Sequence, residues 1–440
     1  MFDQAGMVRE LVKWEYELRD GAQLETVVDR ALSIATAPPC GPVYLSLPRE
    51  VLAAPIAACG SDGRPPSRVA GPAPDPTAVE QLADALMAAK FPVLLCTASG
   101  ADPATIPQLA ALAEEFGIGV GEARSRYVCF PGSHPLHLGH DTASIYTRAD
   151  VVVYLESDVP WVPSKSRPAS DAFVAHAGVD PLFGRYPIRS HRSDLTLTCT
   201  AQALLTALHT VLAGRAVDEQ QIRKRREQIA EHGRLLRAAV AQRAEEERRR
   251  GGSITKAYLS QCLFDALPRD AIVVNEYPAV RECLPFEQGG QYFVHPASAG
   301  LGWGFPAALG AKQASMDRTV VALMGDGSYL FANPAVCHHA SAMHKLPIVA
   351  VVFDNGGWDA VQSATLGVYP GQYAAEARRN DGAVPLASLD PMPDLGMYAE
   401  ASGGVAFRVT RREQLSEALR QAIQATHEGR QAMVHVVGKG

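Results

Sequence analysis

Forty residues, Thr319 to Trp358, constrain this chain more tightly than any other stretch: TVVALMGDGSYLFANPAVCHHASAMHKLPIVAVVFDNGGW. The apolar, β-branched run Thr319–Met324 ends in Gly325-Asp326-Gly327-Ser328. A helix-length segment follows, and a second apolar run, Ile348–Phe353, ends in Asp354-Asn355-Gly356-Gly357. Two short, wholly apolar strands joined through a helix make a βαβ unit, which belongs in a parallel sheet covered on both faces. Open sheets of this kind bind ligands at the carboxyl ends of their strands. That edge brings together a carboxylate, Asp326, and a carboxamide, Asn355, with glycines that let backbone come close. Hard oxygen ligands beside backbone amides suit a magnesium ion holding a diphosphate.

Either motif alone also serves as an ordinary strand-exit turn. The pair at this spacing, each closing a buried-type strand, favours the metal reading. On these residues the chain resembles the thiamine diphosphate enzymes, close to the acetolactate synthase and benzoylformate decarboxylase group, in which GDGS is followed by an Asn about 30 residues on. The resemblance implies that Asp326, Asn355 and the backbone carbonyl of Gly357 hold Mg2+, with Gly325, Gly327 and Ser328 against the diphosphate of thiamine diphosphate. The usual Asn-Asn pair stands here as Asp354-Asn355, which keeps Asn at the ligand position.

A second matching segment is HPASAGLGWGFP, His295 to Pro306. Glycines alternating with bulky residues let backbone press against a ligand, and the helix expected over Ala307–Ala314 offers its N-terminus to an anion. In the resembled family this segment carries an apolar wedge beneath thiamine, here Leu301 next to Gly300. A carbonyl two residues earlier, at Ala299, would accept a hydrogen bond from the cofactor's amino group. The exit of the strand Ala271–Val274, Glu276 included, matches a loop facing the diphosphate. Trp358, Val361 and Gln362 match residues that line the substrate pocket.

The remaining chain is organised as α/β domains built on parallel sheets with flanking helices. A length of 440 residues allows two or three such domains, and 47% hydrophobic with 20% charged residues fits a globular protein. Residues 1–60 open with a helix-like segment, followed by a helix over Leu24–Thr36 and a strand at Gly41–Leu47. They resemble the closing part of a pyrimidine-binding domain. The family's activating glutamate is then expected upstream of Met1, so no catalytic residue is assigned and the chain alone is expected to turn over poorly. Residues 61–76 are a Pro/Gly/Ala/Ser-rich linker. Residues 77–215 alternate helix and strand as a central domain. Some family members hold FAD there, but no G-x-G-x-x-G supports it here. Residues 216–252 are a charge-dense connector helix with Ile222, Ile229, Leu235, Leu236 and Val240 as its apolar stripe. Residues 253–440 form the diphosphate-binding domain, with Ser253 as N-cap of its first helix.

His134, His137 and His140 are spaced three apart, but Pro135 and Gly139 prevent a helix from presenting them on one face, and no neighbouring Cys or carboxylate completes a set. We therefore assign them no metal. A net charge of -6 gives no reason to expect nucleic acid or an anionic membrane as partner, and no apolar run approaches the ~20 residues of a membrane span. Eight scattered cysteines without a C-x-x-C pair, and an N-terminus without a signal-peptide core, point to a cytoplasmic protein with reduced thiols. The resemblance implies an acetolactate synthase-like decarboxylase or carboligase acting on a small 2-keto acid, with an aromatic, benzoylformate-like substrate as the alternative. It also implies a homodimer or homotetramer, with the pyrimidine half of each site supplied by another chain. The competing expectation is a non-catalytic chain that binds thiamine diphosphate without activating it.

Overall fold

The computed structural model describes residues 3–56, 68–216, 218–296, 300–382 and 384–439. Along the first half of the chain the strands are β1 (Trp14–Glu17), β2 (Val43–Ser46), β3 (Pro92–Cys96), β4 (Gly119–Glu122), β5 (Val151–Leu155), β6 (Phe173–Gly178) and β7 (Leu195–Thr198). The second half carries β8 (Ile272–Glu276), β9 (Tyr292–Val294), β10 (Val320–Gly325), β11 (Val349–Asp354), β12 (Val405–Val409) and β13 (Ala432–Val437). The chain divides into two units. One comprises Met1–Ala89, Val153–Pro160 and Phe173–Arg215; the other comprises Lys90–Val152, Trp161–Ala172 and Ala216–Gly440.

In the first unit β1 pairs in parallel with β2, Trp14 opposite Val43, and β6 pairs in parallel with β7. The start of the chain thus corrects an expectation. The helix-like segment is a short 3-10 turn at Ala5–Met7 followed by a strand. Trp-Glu-Tyr-Glu alternates with period two, and Trp14 and Tyr16 stack on one face with centroids 5.7 Å apart. Pairing with β2 outweighs the local helical spacing. The helix Leu24–Thr36 forms as expected.

The second unit holds a six-stranded sheet in the order β12-β13-β11-β10-β8-β9, every neighbouring pair parallel. All six residues of β11 are buried, as are all but Gly325 of β10. Alternate side chains serve opposite faces. Leu323 and Val351 pack with Leu259, Leu263, Leu415 and Leu419 on one side. Ala322, Met324 and Val352 pack with Phe305, Ala308 and Cys337 on the other. Each fully buried Leu, Val or Met contributes about 1.5–3 kcal/mol of transfer free energy, which makes these two strands the rigid floor of the unit. The chain runs from β8 outward to β9 and then returns to β10 on the opposite side, so the sheet changes direction between β8 and β10, where such sheets bind ligands.

Three local details differ from expectation. The segment between β10 and β11 is two helices, Asp326–Phe331 and Pro334–Met343, because Asn333 adopts a left-handed conformation (φ 56°) and Pro334 has no N–H to continue the first. Thr255, not Ser253, caps the helix Lys256–Ala266, its hydroxyl accepting the Tyr258 N–H at 3.1 Å. The connector helix spans Glu219–Arg249, but of its predicted stripe Ile222 and Ile229 are buried while Leu235 is 50% exposed. Close approach is taken over by Gly233, where a Cβ would crowd the His137 and Pro135 carbonyls.

Candidate cofactor and metal site

The carboxyl ends of β8, β10 and β11 meet at one groove. Asp326 follows β10 directly and is 3% exposed. Its Oδ1 accepts the Gly327 N–H at 2.7 Å, and its Oδ2 accepts the N–H groups of Asn355 (3.1 Å), Gly356 (2.9 Å) and Gly357 (3.2 Å). One carboxylate therefore ties the exit of β10 to the exit of β11. Asp354 lies beside it, its Oδ2 2.7 Å from His435 Nε2 and its Oδ1 accepting the Gly356 N–H. Burial pushes the Asp326 carboxyl up to about 6; the Gly327 amide bond opposes the rise, and the neighbouring Asp354 carboxylate adds to it. Crowded, desolvated anionic oxygen is what a bound cation relieves.

Asn355 completes the arrangement. Its carboxamide has two orientations open to it. With Oδ1 inward, three oxygens converge: Asn355 Oδ1 lies 3.2 Å from Asp326 Oδ2 and 3.0 Å from the Gly357 carbonyl oxygen. With the amide turned over, the NH2 group donates to those same two oxygens. The second state satisfies the site without an ion, and the first presents a ligand set for a hard cation.

The groove is open to solvent, with about 670 Å3 of free space counting the solvent at its mouth. Leu301, Gly325, Asp326, Gly327, Ser328, Asn355, Gly357, Trp358 and Val361 all line it. Trp358 lies so close to Gly327 that a Cβ there would overlap its ring, so glycine is required for this contact. Gly302, next to Leu301, has φ 89° and abuts the Phe331 and Ala332 backbone, and only glycine meets both demands.

Three expected residues lie elsewhere. Glu276 is completely buried and is not part of the groove lining: Oε1 accepts the Gly302 N–H at 2.8 Å and Oε2 the Gly304 N–H. It holds the loop that carries Leu301, because a buried carboxylate is satisfied by the nearest amides. Gln362 directs its amide toward the Ala387 carbonyl, beneath Gly357, and Gly300 is exposed and does not line the groove. Ala299 lies outside the described residues.

The groove also holds Tyr277 and Pro278, from the strand-exit loop expected to face the cofactor, and residues that sequence reasoning passed over: Lys256, Phe353, Asp359 and Ala360. Lys256 Nζ pairs with the Asp359 carboxylate across the rim. A lysine at the first position of a helix opposes the helix dipole, and that was its one legible signal. Tyr277 takes φ 83°, a conformation rare for a bulky residue, with its ring edge-on to His295 at 4.9 Å.

Comparison with known proteins agrees with this geometry. Residues 277–436 match the model of the family described as thiamine pyrophosphate enzyme, C-terminal TPP binding domain. The chain is 26% identical to sulfoacetaldehyde acetyltransferase of Rhodobacter capsulatus over 99% of its own length and 75% of that protein's. It is 28% identical to benzoylformate decarboxylase of Pseudomonas aeruginosa, covering 96% and 76% of the two chains. It is 25% identical to the acetolactate synthase large subunit of Corynebacterium glutamicum, covering 96% and 66%. Benzoylformate decarboxylase from Polynucleobacter necessarius has the same fold, with a TM-score of 0.73 at 22% identity over 97% of this chain and 76% of that one. The strand-end carboxylate and carboxamide thus lie within the part of the chain, residues 277–436, that matches the C-terminal TPP binding domain of the thiamine pyrophosphate enzymes.

Proposed function

We propose that the groove holds thiamine diphosphate through Mg2+ and that the chain acts on 2-keto acids as an acetolactate synthase-like decarboxylase and carboligase. The observation that carries this reading is the meeting of three polar groups at the ends of β10 and β11, with the Asn355 carboxamide 3.2 Å from Asp326 Oδ2 and 3.0 Å from the Gly357 carbonyl and able to turn its oxygen toward them. Oxygens coordinating Mg2+ at about 2.1 Å in an octahedron lie about 3 Å apart, a spacing that the Asn355 carboxamide matches when its oxygen faces Asp326 and Gly357. When bound, the cofactor provides the electron sink for chemistry at a keto carbon.

The part left to the chain is placement and charge. Asp326, Asn355 and Gly357 hold the ion. Gly325, Gly327 and Ser328 let a diphosphate reach the strand ends, and Lys256 places positive charge on the same rim. Leu301 presses in from a loop that Glu276 keeps in position. Trp358 and Val361 give the remaining wall an apolar surface for the substrate, which accommodates either an aliphatic or an aromatic 2-keto acid.

Among the described residues, the carboxylates lining the groove are Asp326 and Asp359. The first is committed to the ion and the second to Lys256. We therefore assign the activating carboxylate to a chain that supplies the pyrimidine-binding half of the site, brought to this one in an oligomer. All seven described cysteines are free, in keeping with a reducing cytoplasm. The same committed carboxylates favour a second reading, a chain that binds the cofactor without turning over.

Calorimetry with thiamine diphosphate and Mg2+, paired with CO2 release from pyruvate and from benzoylformate, separates the two. Binding with turnover supports the enzyme, and binding without turnover of either acid supports the non-catalytic chain. Absence of Mg2+-dependent binding contradicts both.

A further inference from the structure

Away from the groove, β4 ends in Glu122, which is completely buried. The segment 136–139 runs alongside β4 in extended form. Val120 N–H donates to the Leu136 carbonyl (3.0 Å), Leu138 N–H to the Val120 carbonyl (2.8 Å), and Glu122 N–H to the Gly139 carbonyl (3.0 Å). His137 pairs with Val120 as an isolated parallel bridge, and Gly139 turns the chain with φ 77°. This pairing brings His137 and His140 over Glu122. It corrects the sequence-based expectation, which sought a helical face and a carboxylate nearby in the sequence; the carboxylate comes from the adjacent strand.

His137 Nε2 and His140 Nε2 lie 3.5 and 3.6 Å from Glu122 Oε2, and the three ligand atoms all fall within 4.8 Å of one another. Those two gaps are long for hydrogen bonds. They match the separation of about 3.4 Å between donors that each stand about 2.1 Å from a tetrahedral ion. His137 Nε2 is buried without a hydrogen-bond partner, while its Nδ1 lies 3.3 Å from the Gly132 carbonyl. That contact places the proton on Nδ1 and leaves the Nε2 lone pair directed at the cluster.

We propose that Glu122, His137 and His140 form a second metal site, for a transition-metal ion such as Zn2+, separate from the hard-ion site at Asp326. Two imidazoles and one carboxylate suit zinc, with a fourth position left for water, whereas Mg2+ prefers an all-oxygen shell. Burial holds the His140 ring down to about 3, so it is neutral at pH 7. Arg281 also reaches Glu122, its Nη2 3.2 Å from the same Oε2 and its guanidinium over the Phe286 and Tyr292 rings. It neutralises the carboxylate in the metal-free protein and competes with the ion, so binding is reversible. A bound ion ties the segment 132–140 to the end of β4.

Metal-depleted protein titrated with Zn2+ by calorimetry tests this, together with the absorption spectrum of the Co2+-loaded wild type. The expected result is one ion per chain, retained in Asp326→Asn, lost in His140→Ala and Glu122→Gln, and four-coordinate d–d bands with Co2+. His140→Ala and the wild-type spectrum remain decisive if the buried Glu122 variant does not fold. Failure of the wild type to take up stoichiometric zinc, or uptake that His140→Ala leaves unchanged, overturns the proposal.

Discussion

Glu276 accepts the backbone N–H of Gly302 from 26 residues further along the chain, and its second oxygen accepts that of Gly304. A buried carboxylate at the end of β8 thus fixes the loop that presents Leu301 to the groove. Replacing it by Gln turns one acceptor into a donor facing an amide N–H. A charged hydrogen bond of this kind is worth about 1.5–3 kcal/mol, so Glu276→Gln should lower unfolding free energy by about that amount and weaken cofactor binding. Urea denaturation and calorimetry read both; a variant within about 0.5 kcal/mol of wild type would remove Glu276 from this role.

Gly327→Ala sets two effects against each other. Alanine in place of glycine in a helix favours folding by about 1 kcal/mol, whereas overlap of its Cβ with the Trp358 ring costs about 1–3 kcal/mol. The clash should prevail, displacing the Trp358 ring, shifting tryptophan fluorescence and lowering cofactor affinity. A more stable variant with unchanged binding would refute the contact.

Lys256→Met removes the cation on the groove rim. Because Lys256 and Asp359 are partly exposed, its effect on diphosphate binding should be about 1 kcal/mol, roughly five-fold in affinity, and should fade with added salt. An affinity loss that is unaffected by ionic strength would point to packing, not charge.

The helix Pro334–Met343 carries a pH-sensitive contact. His338 is buried, with Nε2 2.8 Å from the Tyr329 hydroxyl and Nδ1 2.6 Å from Gln431 Oε1. Burial lowers its pKa from 6.5, outweighing the Gln431 bond. A folded pKa below the unfolded one means that the unfolded chain binds more protons, so this contribution is complete above pH 6.5 and is lost as pH falls below it. Urea midpoints should decline from pH 7 toward pH 5, less steeply in His338→Gln. Parallel profiles for the two proteins would exclude His338 as a source.

How much of this was legible beforehand depended on whether local pattern or distant pairing decided the outcome. Asp326 and Asn355 could be placed at one edge because parallel strands joined through helices must end on the same side. Leu301 was named through the family resemblance of its segment, since the glycines around it also fit a tight turn. Glu276 was named from its strand-exit position, which does not tell which way a side chain turns, and here two amides claim it. Trp14–Glu17 looked helical until β2 was available as partner. Glu122, His137 and His140 could not be joined from spacing, since their meeting rests on hydrogen bonds between the segment 136–139 and β4.

The central claim is that Asp326 anchors a magnesium ion and, through it, thiamine diphosphate. The direct measurement is calorimetric titration of Asp326→Ala with thiamine diphosphate in the presence and absence of Mg2+, beside the wild type. The account predicts Mg2+-dependent binding to the wild type and its abolition in the variant; equal affinity for both would contradict it.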